Sequence, residues 1–276
     1  MRNFFEKIIC GSPDGKRSQA FAPFFGAELF SFPSKMRKFY MTNKKYIDKI
    51  RYLTLTAMFC AIAYVVMFVL RISGIGGFLT FDIKDAIITV GAMLLGPFTG
   101  IIISFLVALL EMITVSGTGH WGALMNFVSS AVFAACASAT YNYMPGIRKK
   151  MTGAWSGLGI SIIAMTISIL GMNLLITPIY TGLSVQEVAN MIVPLLLPFN
   201  LIKAVLNAAL VMIIYKPVSI TLRKSGFHDS IGGEKNREEP YFSKHSLIIF
   251  LISAVVAAIC VFLLIKVFGG NFKIIK

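Results

Sequence analysis

The sequence predicts an all-α membrane protein: six crossing helices followed by a seventh, C-terminal apolar run. Composition is the first observation behind this, since 57% of the 276 residues are hydrophobic and only 14% are charged. The second is the recurrence of apolar runs long enough to cross a bilayer as helices. The third is where the charges fall. The formal net charge is +14, which by itself would suit a nucleic-acid binder. The basic residues, however, sit at the ends of the apolar runs, as topology signals do.

Residues 1–46 mix basic residues with Gly, Pro, Ser and many Phe, among them Phe4, Phe5, Phe21, Phe24 and Phe25. They read as a basic, Phe-rich tail, with a segment lying on an anionic membrane surface as the alternative. The first span is 47–70, introduced by Lys44, Lys45, Lys49 and Arg51. Within it Ala57 and Ala61 lie four apart, with Ala63 nearby, a spacing that lets another helix approach closely. Residues 71–84 form a loop. Gly74, Gly76 and Gly77 permit a tight turn, and the alternation through Phe78, Leu79, Thr80, Phe81 and Asp82 suggests an extended or hairpin arm. Residues 85–95 form a helix too short to cross unaided, which Asp82 or Asp85 would cap.

Pro97 starts the next helix, which runs to about residue 115 and carries Glu111 near its end, where an acid is expected at the interface. After a short uncharged loop holding Gly119 and His120 come spans 121–144 and 154–175, the second with Asn173 near its end. A loop (177–186) and a partly helical connector (187–197) lead into the sixth span, 198–222. Residues 225–244 are a charged linker, 245–268 a seventh apolar run and 272–276 a basic tail. If the N-terminal flank is cytoplasmic, Arg148, Lys149 and Lys150 fall on the same side after four crossings, and Arg223 and Lys224 after six. The loops at 71–84, 116–120 and 177–187 then face outward.

Several chemistries are unsupported. There is no phosphate-binding Gly-rich Lys loop, no HExxH and no GxSxG, and no residues are assigned a catalytic role. The four cysteines form no CxxC and read as packing residues, and no second ligand is spaced to join His120 at a metal. Binding remains. Asn200 and Lys203, behind Pro198, lie one turn apart on one helical face. A lysine at bilayer depth costs roughly 2.5–3.5 kcal/mol. Either it faces something polar or it snorkels to the interface while Asn200 caps the helix. With Asn173 and the 78–84 arm, the pair would frame a pocket for a flat, polar-edged small molecule.

The ordered set Phe81-Asp82-Ile83-Lys84-Asp85, Leu95-Gly96-Pro97-Phe98-Thr99-Gly100, Gly119 through Gly122 with Met125-Asn126-Phe127, Asn173 with Thr177-Pro178-Ile179-Tyr180, and Leu197 through Lys203 with Tyr215-Lys216 resembles the substrate-binding S components of energy-coupling factor (ECF) vitamin transporters. Within them it is most similar to the riboflavin-binding members. The resemblance covers about residues 47–222. It implies a six-helix S-component bundle in the cell membrane, N-terminus cytoplasmic, that takes vitamin from outside. Its partners would be a transmembrane coupling subunit and two ATPase subunits on other chains, with no cofactor beyond the transported riboflavin or another flavin. It gives residues 47–224 the substrate-binding domain, with 1–46, 225–244 and 245–276 as additions. It implies ring contacts from Asn200, Lys203 and Asn173, a covering loop involving Phe78, Leu79 and Thr80, a pocket turn at Gly119, and coupling-subunit contact at Ala57 and Ala61. The alternatives are an S component for another vitamin or precursor, and a membrane scaffold that transports nothing.

Overall fold

The structure, a computed structural model, describes residues 34–70, 72–75, 79–115, 119–224 and 244–268. Phe78, the Phe-rich stretch before residue 34 and the linker before residue 244 lie outside the described residues. The chain divides into two compact units, Met1–Ile50 and Arg51–Lys276. The described part of the first is helical, with Tyr46, Ile47 and Ile50 exposed. The second holds everything that follows.

Helix α1 (Ser34–Val69) leads to a hairpin of strands β1 (Ile72–Ile75) and β2 (Leu79–Phe81). Then come α2 (Lys84–Leu95), α3 (Pro97–Thr114), α4 (Gly119–Tyr143) and α5 (Met151–Thr181). A short α6 (Val185–Met191) runs through a π turn (Ile192–Leu196) into α7 (Leu197–Lys224), and α8 (Lys244–Phe268) closes the described chain. Five described segments are long and apolar enough to cross a membrane: Lys49–Val69, Pro97–Thr114, Gly119–Tyr143, Met151–Thr181 and Val185–Leu222.

Helix α2 is the centre of the fold. At about 1.5 Å per residue it is only about 18 Å long, yet ten of its twelve residues are buried. A helix apolar on every side must be enclosed by others. Leu55, Phe59 and Ala63 of α1, Ile103 and Val107 of α3, Phe133, Ala134 and Ala137 of α4, and Ala204 and Val211 of α7 all share its core. Small residues bring the backbones close. A Cβ added at Gly100 would stand 2.6 Å from the Cβ of Ala92 and 3.2 Å from that of Ala134, atoms that move only with their helices. Gly159 has nothing within 4 Å. We expect Gly100→Ala to lower the melting temperature in detergent, because overpacking costs about 1–3 kcal/mol and helix propensity returns at most about 1 kcal/mol. Gly159→Ala should leave it unchanged or raise it.

The hairpin is antiparallel, with Ile72 opposite Phe81 and Ser73 opposite Thr80. Leu79 and Phe81, two apart on one face of β2, pack into a second cluster. It contains Val188, Leu196, Phe199 and Leu206, together with Cys260 and Leu264 of α8. Helix α8 therefore joins the same cluster as the hairpin. Phe81 meets Phe199 edge to face with centroids 6.4 Å apart, a favoured aromatic geometry.

Three local expectations are corrected. Helix α5 runs through Thr177, Pro178 and Tyr180, residues read from sequence as a loop. Pro178 removes one backbone donor without ending the helix. The stop is Gly182, left-handed at φ +75°, whose N–H donates to the Pro178 carbonyl. The start of α2 has Ile83, not an aspartate, at its N-cap and no side-chain cap, because both acids are engaged elsewhere. Asn200 does not cap α7: the helix begins at Leu197 and the Asn200 amide donates back to the Leu196 carbonyl at 2.7 Å.

Candidate functional site

The connection from β2 into α2 carries Asp82, Lys84 and Asp85 into the interior, where each is at most 1% exposed. Charges this deep must be paired. The Lys84 ammonium donates to Asp82 Oδ2 at 3.1 Å and to Glu111 Oε2 of α3 at 2.8 Å. On its other side Glu111 accepts from the Asn126 amide of α4 at 2.8 Å through Oε1. Lys203 of α7 donates to Asp82 Oδ2 at 3.3 Å and stands 3.9 Å from Asp85 Oδ2. Ser130 of α4 donates to Asp85 Oδ1 at 2.5 Å. One polar seam thus links α3, α4, the end of the hairpin and α7.

Burial alone would push the Asp82 carboxyl up. The ammoniums of Lys203 and Lys84 outweigh that and hold it well below the usual carboxylate range. Asn207, one turn beyond Lys203, accepts from the Ala86 N–H at 3.0 Å and so satisfies a donor in the first turn of α2. Asp82 Oδ1 and Asp85 Oδ2 accept no hydrogen bond among the described residues. Those two oxygens are acceptors to spare in the seam. Each can accept from a donor group.

A model of the ECF transporter substrate-specific component family matches residues 51–215. The chain belongs to this family. A solved structure of the S component of a bacterial ECF transporter is similar to it at 26% identity, with a TM-score of 0.54, covering 63% of this chain and 99% of that one. No curated protein matches the chain. As an S component, the protein is a multi-pass membrane subunit that works with the other subunits of an ECF transporter and binds a small-molecule substrate.

The residues singled out from sequence in this S component fall at several places. Asn200 and Lys203 are both buried, 4% exposed; Lys203 reaches Asp82 at the end of the hairpin, while the Asn200 amide donates to the Leu196 carbonyl. Leu79 is buried in the cluster that holds Phe199 and Leu206 of the same helix, and Thr80 is on the same strand as Leu79. Asn173 is buried on α5, but its hydrogen bonds stay within that helix: its amide donates to Ile169 O at 2.8 Å and its carbonyl accepts from Thr177 Oγ1 at 3.0 Å. Around it, Ile169 and Ile176 pack against Met125 of α4, while Leu170 and Leu174 join the hairpin cluster. Gly119 starts α4 at φ +60°. Ala57 and Ala61 are on an exposed face of α1, whereas Ala63 is buried.

Glu111, expected at the interface, is instead 1% exposed and bonded to Lys84 and Asn126. The acid sits one turn from the end of α3, and the seam draws it inward because Lys84 needs a second counter-charge. Sequence reasoning missed this seam. Its signal was the dense run Asp82-x-Lys84-Asp85 entering an apolar helix, where unpaired charge is costly.

Proposed function

We propose that this S component takes up riboflavin from the extracellular side and hands it inward with a coupling subunit and two ATPases. The observation that supports the reading is the pair Asn200 and Lys203, one turn apart and both buried, with Lys203 reaching Asp82 at the end of the hairpin. A flat ring system with carbonyls and ring nitrogens on its edge matches an apolar, aromatic wall that carries one ammonium and one amide. Asn173 would approach the ring from α5, by exchanging one of its present intrahelical bonds. Leu79 and Thr80, with Phe78, would cover the ligand. The exposed Ala57 and Ala61 face of α1 offers a smooth surface for the coupling subunit. The N-terminus is cytoplasmic in this reading, and α8 is a seventh crossing.

The test is the visible absorbance spectrum of the protein purified in detergent, before and after riboflavin is added. Co-purifying flavin absorbance, or flavin fluorescence quenched on titration, is the expected result. A colourless protein that leaves flavin fluorescence unchanged would remove riboflavin as the cargo and leave another vitamin or precursor, or a scaffold role, as the reading.

A further inference from the structure

A two-stranded hairpin with strands of four and three residues is marginal on its own. Its packing side is supplied by Leu79 and Phe81. Packing alone is non-directional, and a hairpin seated only by apolar contact can slide or lift. The residue directly after β2 is Asp82, and the ammonium of Lys203 reaches it from α7 at 3.3 Å. Lys84 holds the same oxygen from the other side at 3.1 Å. Asp82 is thus the point at which the hairpin is fixed to α7. A buried ion pair is weak evidence for a contribution to stability, since apolar substitutes of similar volume often do as well. Its directional value is different: it sets one register of the hairpin against one turn of α7.

We propose that Asp82 is a positioning residue that ties β2 to Lys203 and aims its ammonium, so that the strand and the ligand-binding lysine move as one unit. The coupling to ligand rests on the function proposed above; the tie itself does not. An ammonium has three donors, so Lys203 can keep Asp82 while it engages a ligand carbonyl. Ligand bound there fixes the ammonium, and the fixed ammonium holds the hairpin down. The same residue therefore links a ligand at Lys203 to the seating of β2.

The experiment is hydrogen exchange on the full chain in detergent, read at peptides covering residues 72–82. Wild type, Asp82→Asn, Lys203→Met and the double variant are compared without ligand and then with riboflavin. Without ligand, each single variant should speed hairpin exchange on the order of tenfold, and the double variant should be no faster than the faster single. Exchange in the middle of α5 should stay as in wild type, which reports intact folding. Unchanged hairpin exchange in the single variants would overturn the tie. So would multiplied effects in the double variant, because Asp82 would then act through Lys84 and Glu111 alone. Should Asp82→Asn fail to fold, Lys203→Met decides by itself: hairpin exchange at the wild-type rate refutes the proposal. Riboflavin should slow hairpin exchange in wild type and do so far less in Lys203→Met. If it slows neither while the ligand-free differences hold, the cargo reading falls and the tie stands.

Discussion

Replacing Lys84 by Met should destabilise the protein by about 3–5 kcal/mol, the usual cost of removing one partner of a buried ion pair. Lys84 bridges Asp82 and Glu111 at 3.1 and 2.8 Å with essentially no exposure. After the substitution Asp82 retains Lys203, while Glu111 loses its ammonium and keeps the amide of Asn126. Glu111 bears the larger loss, since the Lys84 ammonium at 2.8 Å is taken from a carboxylate that is 1% exposed. The expected readout is a melting transition in detergent lowered on the order of 10 °C. Adding Glu111→Gln should restore part of that loss, since the uncompensated charge is then removed as well. A double variant that melts at the sum of the two single losses would show that the pair is not energetically coupled.

The second large effect concerns ligand. Lys203→Ala should weaken riboflavin binding by about 1.5–3 kcal/mol, the worth of a hydrogen bond to a charged group, or on the order of 10- to 100-fold in Kd. Titration of flavin fluorescence quenching measures it. Asn200→Ala removes a neutral hydrogen bond and should cost about 0.5–1.5 kcal/mol. The ordering matters as much as the size. If Lys203→Ala binds riboflavin as wild type does, the ring contact is elsewhere in the bundle. If Asn200→Ala is the more damaging variant, the amide and not the ammonium orients the ligand.

Both predictions concern lysines that a soluble protein would leave at its surface. The reason they are inside is the short helix α2. Its buried, largely apolar body brings the Asp82–Asp85 segment into the interior of the bundle, and the charges must then find partners there. Lys203 is the partner from α7 and Glu111, through Lys84, the one from α3. The cluster is thus a consequence of topology before it is a binding device.

Much of this was legible along the chain. Apolar runs and flanking basic residues determined that the protein is a helical membrane bundle, because a bilayer forces helical spans of fixed length and sorts charge to their ends. The spacing of Asn200 and Lys203 placed them on one face, since a helix repeats every 3.6 residues whatever surrounds it. The ordered motifs pointed to the S-component family, which the match over residues 51–215 bears out. Tertiary structure alone decided the rest. Glu111 looks interfacial by its distance from a helix end, but depth depends on which neighbours enclose it, and here they are Lys84 and Asn126. Thr177 to Tyr180 looks like a loop by composition, yet packing of α5 carries the helix on to Gly182. Asp82 and Lys203 are separated by 121 positions. Nothing local in either stretch specifies the other, and only the fold sets them 3.3 Å apart.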